Sequence, residues 1–138
     1  MHARLSPAKV VFACVANAGR SQMAAAFFNK LANSKRAQAV SAGTHPATGV
    51  HPEVVAAMRE VGVDLSRAKP QYLSSHLCAE AHMLITLGCR EECPLVPGLE
   101  REDWPLDDPK DQPIERVRRI RDDIKTRVVA LIKERNWK

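Results

Sequence analysis

Residues 10–15, Val-Val-Phe-Ala-Cys-Val, are a nearly continuous apolar run rich in β-branched side chains, followed by Ala-Asn-Ala-Gly at 16–19. Such a run suits a strand buried on both faces. From Arg20 onward Met23, Ala24, Phe27, Phe28 and Leu31 recur at helical spacing, until Asn33-Ser34 breaks the pattern. Strand, tight loop and helix in that order open a parallel α/β sheet.

The same alternation continues along the chain. Residues 38–41 read as a second short strand and 46–49 as a loop. Residues 51–61 read as a helix with Val54, Val55, Met58 and Val61 on one face and Pro52 in its first turn. A short helical segment over 72–81 precedes a buried strand over 82–87. Residues 88–112 are polar and broken by Pro94, Pro97, Pro105 and Pro109, the signature of a long lid-like loop. Pro113 opens a last helix whose Val117, Ile120, Ile124, Val128 and Leu131 make one apolar stripe. The expected fold is α/β: a parallel sheet with helices on both faces, formed by a single domain over residues 1–138. Ligands of such sheets bind beyond the carboxyl ends of the strands, and Cys14 and Cys89 both fall at such ends.

Composition narrows the class. Hydrophobic residues make up 45% and charged residues 27%, and the longest uninterrupted apolar run, Val10 to Ala16, is far too short to span a bilayer. Disorder and a membrane-spanning helix are both excluded. Lysine and arginine total 21 against 16 aspartate and glutamate, and the whole +5 excess lies in residues 115–138. No aromatic platform or nucleic-acid motif accompanies it, so a helix with a solvated basic side is expected rather than a nucleic-acid site. Cys14, Cys78, Cys89 and Cys93 are too few and too irregular for a secreted disulfide scaffold, and Asn17 interrupts any leader-like stretch. The expected setting is the reducing cytoplasm, with chemically active thiols.

The loop after the first strand carries the chemistry. Cys14 and Arg20 enclose Val15, Ala16, Asn17, Ala18 and Gly19, and Ser21 follows. Small residues let successive backbone N–H groups turn inward as a nest for a tetrahedral oxyanion. The helix N-terminus adds positive potential and the Arg20 fork reaches two oxyanion oxygens. The same field favours the Cys14 thiolate, aimed at the centre of the bound anion. Ser21 can donate its hydroxyl to that thiolate, and Asn17 can brace the loop.

Cys14-Val-Ala-Asn-Ala-Gly-Arg-Ser-Gln-Met-Ala resembles the oxyanion loop of the low-molecular-weight protein tyrosine phosphatases and of the arsenate reductases built on their fold. Ser41-Ala-Gly-Thr, Met58-Arg-Glu-Val-Gly-Val-Asp-Leu-Ser and Asp108-Pro109 are similar to later family blocks in the same order. The resemblance implies a flavodoxin-like, three-layer fold with a four-stranded parallel sheet. It also implies that Asp108 protonates the leaving oxygen, with Asp107 beside it in a supporting or solvated place.

Cys89 and Cys93 favour reduction over hydrolysis. Water resolves a phospho-enzyme, whereas reducing arsenate to arsenite takes two electrons, which a second thiol supplies by attacking the Cys14 adduct. Cys89 is the expected resolving thiol, and Cys93 the thiol that carries the disulfide outward for an external reductant. By resemblance that reductant is thioredoxin, or mycothiol or glutathione with a glutaredoxin, and no cofactor is held tightly. The expected substrate is arsenate, with phosphate or sulfate as competing oxyanions, and the expected form a monomer without nucleic-acid or membrane partners.

Two departures stand out. Gly19 occupies a position where many relatives carry a second cysteine, and Cys89 and Cys93 are closer together than the last two cysteines of the thioredoxin-coupled group. Some reductases bind potassium beneath the loop, yet where they place a glutamate this chain has Ala25, so beside Asn17, Ser41 and Asp64 no strong potassium site is expected. A zinc site from Cys89, Cys93 and Cys78 or His82 matches no strong ligand spacing, and Cys78 reads as a small core residue. The alternatives to arsenate reduction are phosphotyrosine hydrolysis, for which the loop after Asp108 lacks flanking aromatics, and a non-enzymatic thiol sensor.

Overall fold

The computed structural model describes residues 6–88 and 96–138, so Cys89 and Cys93 lie outside the described residues. Within them the chain forms β1 (Ala8–Cys14), α1 (Arg20–Leu31), β2 (Ala37–Gly43), α2 (Pro52–Arg59), α3 (Ser75–Glu80), β3 (Met83–Thr86), β4 (Glu100–Asp103) and α4 (Ile114–Glu134). The four strands form one parallel sheet in the order β2-β1-β3-β4. This is the expected α/β architecture, a sheet between helical layers.

β1 is central, which explains its unbroken apolar sequence. Alternate side chains serve opposite faces. Val10 and Phe12 join the cluster built with Met23, Phe27 and Phe28 of α1, Val54 and Met58 of α2, and Val117, Ile124 and Val128 of α4. Val11 and Ala13 join Leu84 of β3, Ala42 of β2 and Cys78 of α3 on the other face. Phe12 packs edge-on to Phe28 at 5.9 Å between ring centroids and lies 5.7 Å from Trp104. The expected stripe of α4 is buried in full, from Val117 to Leu131.

Two expectations are corrected. The segment 88–112 is not one loop, because Glu100-Arg101-Glu102-Asp103 forms β4 against β3, with Met83 opposite Glu100 and Thr86 opposite Asp103. Four consecutive charged residues carry no strand signal. This edge strand is held instead by its ladder, by the Thr86–Asp103 hydrogen bond and by the Arg135–Glu100 ion pair to the end of α4. The basic tail is also more than a solvated face. Arg116 pairs with Asp107 at 2.5 Å, Arg118 and Arg121 with Glu60 at 2.6 and 2.8 Å, and Arg135 with Glu100. Arg121 is buried and also donates to the Ala57 carbonyl at 2.8 Å, so it ties α4 to the end of α2. No helix among the described residues is long and apolar enough to cross a membrane.

Candidate active site

Cys14 is the last residue of β1, and the chain then turns through residues 15–19 into α1. The loop backbone is laced to the segment after β2: Thr44 N–H donates to the Cys14 carbonyl, His45 N–H to that of Val15, Ala47 N–H to that of Ala16, and His51 N–H to that of Ala18. Gly43 lets β2 approach this closely, since a Cβ there would lie 2.5 Å from the Val15 carbonyl oxygen and 2.8 Å from the Asn17 nitrogen. The family-like Ser41-Ala-Gly-Thr block thus acts as the outer wall of the loop. α1 begins with no side-chain cap and no acidic residue in its first turn, which leaves its terminal N–H groups for an anion.

The polar side chains form one directional chain. Asn17 is fully buried with φ 51°, a left-handed conformation that asparagine tolerates better than most residues. Its Oδ1 accepts from the Gln71 backbone N–H at 2.9 Å and from Gln22 Nε2 at 3.2 Å. That orients the amide so that Nδ2 donates to Ser21 Oγ at 2.8 Å. Ser21, accepting there, lies 2.8 Å from Cys14 Sγ and has its own proton to donate when that sulfur is a thiolate. The sulfur therefore faces a hydroxyl that the Asn17 amide holds in place.

Arg20 is 8% exposed; its Nη1 donates to the Leu106 carbonyl at 3.0 Å and its Nη2 lies 3.7 Å from Asp108 Oδ2. The adjacent aspartates point different ways. Asp108 turns to Arg20 and accepts from the Lys110 N–H at 3.0 Å, whereas Asp107 turns to Arg116 on α4. The structure thus brings Cys14, Arg20, Ser21, Asn17 and Asp108 together at the carboxyl end of the sheet, with Val15, Ala16, Ala18 and Gly19 in the loop that joins β1 to α1. Cys89 and Cys93 fall outside the described residues. The segment leading to Cys89 is described up to Gly88, directly after Leu87, whose N–H is bonded to the Ala13 carbonyl at 2.8 Å.

Gln22, Gln71 and the Leu106 carbonyl were not legible as site residues. Two of them act partly or wholly through backbone groups, which leave no mark on composition or spacing. Potassium ligation does not suit the residues present: Asn17 Oδ1 already accepts two N–H donors, Ala25 supplies no oxygen, and Asp64 is turned to the Ser66 N–H of its own loop at 2.9 Å. Cys78 packs into the second core cluster, and burial pushes its thiol up.

Comparison with known proteins agrees with this geometry. The model of the low molecular weight phosphotyrosine protein phosphatase family matches residues 9–138. A protein of Halobacterium salinarum that carries a provisional arsenate reductase name is 42% identical over 95% of each chain. Arsenate reductase 2 of Staphylococcus epidermidis is 32% identical over 86% of this chain and 92% of its own. Among solved structures, a thioredoxin-dependent arsenate reductase of Corynebacterium glutamicum is similar at a TM-score of 0.80 and 35% identity. It covers 96% of this chain, which spans 63% of that protein's length. An arsenate reductase in its phosphate-binding state matches at a TM-score of 0.80, 34% identity and 92% of this chain against 98% of its own. With its Cys14–Arg20 loop between β1 and α1 and a match across nearly its whole length, the chain belongs to the low molecular weight phosphotyrosine protein phosphatase family.

Proposed function

We propose that this protein reduces arsenate to arsenite with electrons from an external thiol reductant. The observation that carries the reading is the chain Asn17 to Ser21 to Cys14, which holds a hydroxyl against the sulfur of a strand-to-helix loop faced by Arg20 and Asp108. Relatives 32 to 35% identical and named arsenate reductases support it.

Cys14 thiolate attacks the arsenic of a bound arsenate, and Asp108 gives its proton to the departing oxygen, so that water leaves and a sulfur–arsenic bond forms. Cys89 thiolate then attacks the Cys14 sulfur. The new disulfide takes that sulfur, the sulfur–arsenic pair stays on arsenic, and arsenite leaves with two more electrons than arsenate had. Cys93 thiolate attacks Cys89 and frees Cys14, and a dithiol such as thioredoxin, or a low-molecular-weight thiol with a glutaredoxin, reduces the resulting Cys89–Cys93 bond.

The test is direct. Reduced protein is incubated with arsenate, free thiols are alkylated, and disulfides are located by peptide mass spectrometry. A Cys14–Cys89 or Cys89–Cys93 bond that forms only with arsenate is the expected result. Free thiols throughout, with hydrolysis of an aryl phosphate that survives loss of Cys89 and Cys93, would assign the site to phosphate-ester hydrolysis.

A further inference from the structure

Arg20 is a buried cation, and its use in binding depends on where its guanidinium is held. One wall of its slot is the backbone at Gly88. Gly88 has φ +80°, and a Cβ there would overlap Arg20 Nη1, lie 3.2 Å from Cζ and stand 2.8 Å from the Leu106 oxygen that Nη1 donates to. Each wall has a backbone anchor close by. The Gly88 side is tied to β1 by the Leu87 N–H to Ala13 bond at 2.8 Å, and the Leu106 side is tied to β3 by the Trp104 N–H to Thr86 bond at 2.7 Å. The absent side chain is therefore the space that the guanidinium occupies.

We infer that Gly88 is a positioning residue for oxyanion binding, acting through Arg20: it keeps the guanidinium hydrogen-bonded to Leu106 and its remaining N–H groups turned to the nest. This rests on reading the loop as an oxyanion site, and not on which reaction follows. It also makes the start of the segment that carries Cys89 a direct neighbour of the anion-binding arginine.

The experiment measures inorganic phosphate affinity by calorimetry for the parent protein, G88A, R20K and the double variant, with G98A as control. Gly98 has φ +81° and nothing near its missing Cβ, so alanine there carries the same backbone penalty without the guanidinium. Gly88→Ala is expected to weaken phosphate binding about tenfold, the effect of a misdirected bidentate contact, while G98A leaves it unchanged. In the R20K background, where Nη1 is gone, Gly88→Ala should weaken binding no further. Equal losses in both backgrounds, or unchanged affinity in a folded G88A, would overturn the inference. If G88A does not fold, the inference requires the G88A/R20K protein to fold, and it fails if that protein stays unfolded while G98A folds. A parent protein that binds no phosphate would remove the oxyanion reading as well, whereas phosphate binding indifferent to Gly88 removes only this inference.

Discussion

Asn17 holds the site together at the scale of single residues. It spends a left-handed backbone and both ends of its amide on one outcome, a Ser21 hydroxyl held against Cys14. A hydrogen bond to a charged group contributes about 1.5–3 kcal/mol, so Ser21→Ala is expected to slow arsenate-dependent disulfide formation about 10- to 100-fold. Phosphate affinity should change far less, because Ser21 faces the sulfur. The two aspartates make a second pair of outcomes. Asp108→Asn should lower turnover about 100-fold or more, the usual weight of a positioned acid, whereas Asp107→Asn removes an exposed ion pair with Arg116 and should leave turnover within about twofold. Steady-state rates for both variants check this, and equal losses would show that the opposite orientations do not matter. Cys14 and Arg20 were legible from residue type and spacing between a strand and a helix, whereas Asp108 was picked out by the family resemblance. The resemblance also set Asp107 apart from Asp108; their partners, Arg116 for one and Arg20 for the other, were not legible, because adjacent residues in a turn are separated only by what each finds across space.

At the scale of elements, the edges of the sheet decide much of the behaviour. The outer edge of β2 is closed residue by residue: Asn29 of α1 donates to the Ala39 carbonyl and accepts from its N–H, Gln71 Nε2 donates to the Ser41 carbonyl, and Gly43 bonds to residues 71 and 73. A side-chain amide thus replaces a neighbouring strand. Asn29→Ala should cost about 1–3 kcal/mol in urea unfolding even though alanine is the better helix former, since two backbone groups lose their partners. A neutral or stabilising result would mean that water replaces the amide without loss. In α4, Ile124 is fully buried against the sheet, and Ile124→Ala is expected to cost about 2–5 kcal/mol in the same measurement. The α4 stripe and β1 could be read from periodicity because burial imposed it. β4 could not, because an edge strand buried on neither face places no apolar demand on Glu100 to Asp103.

Across the whole molecule, the charge asymmetry becomes a complementarity. Residues 115–138 hold the net +5, and their arginines close on Glu60, Glu100 and Asp107 from the electrically neutral remainder. Arg118 and Arg121 hold the Glu60 carboxyl down from its usual 4.5 to about 2, and Glu100 and Asp103 are also lowered by their arginine and threonine partners. A carboxylate with a depressed folded pKa contributes stability above its unfolded value and loses it as pH falls towards the folded one. Stability should therefore decline from about pH 4.5 down to about pH 2. Glu60→Gln should flatten that decline, which urea midpoints measured across the range will show. An unchanged slope would mean that the pairs with α4 do not contribute to acid sensitivity.

By itself the sequence determined the alternation of strand and helix, the central apolar strand and the tight loop from Cys14 to Arg20, because each is imposed by burial or by backbone geometry within a few residues. Only the tertiary structure decided that the Asn17 amide is held by the Gln71 N–H, that Arg20 donates to the Leu106 carbonyl, that four charged residues form a strand, and that Gly88 walls the guanidinium. Each depends on a partner far along the chain, often a backbone N–H or carbonyl, and such groups are the same in every residue until folding aims them.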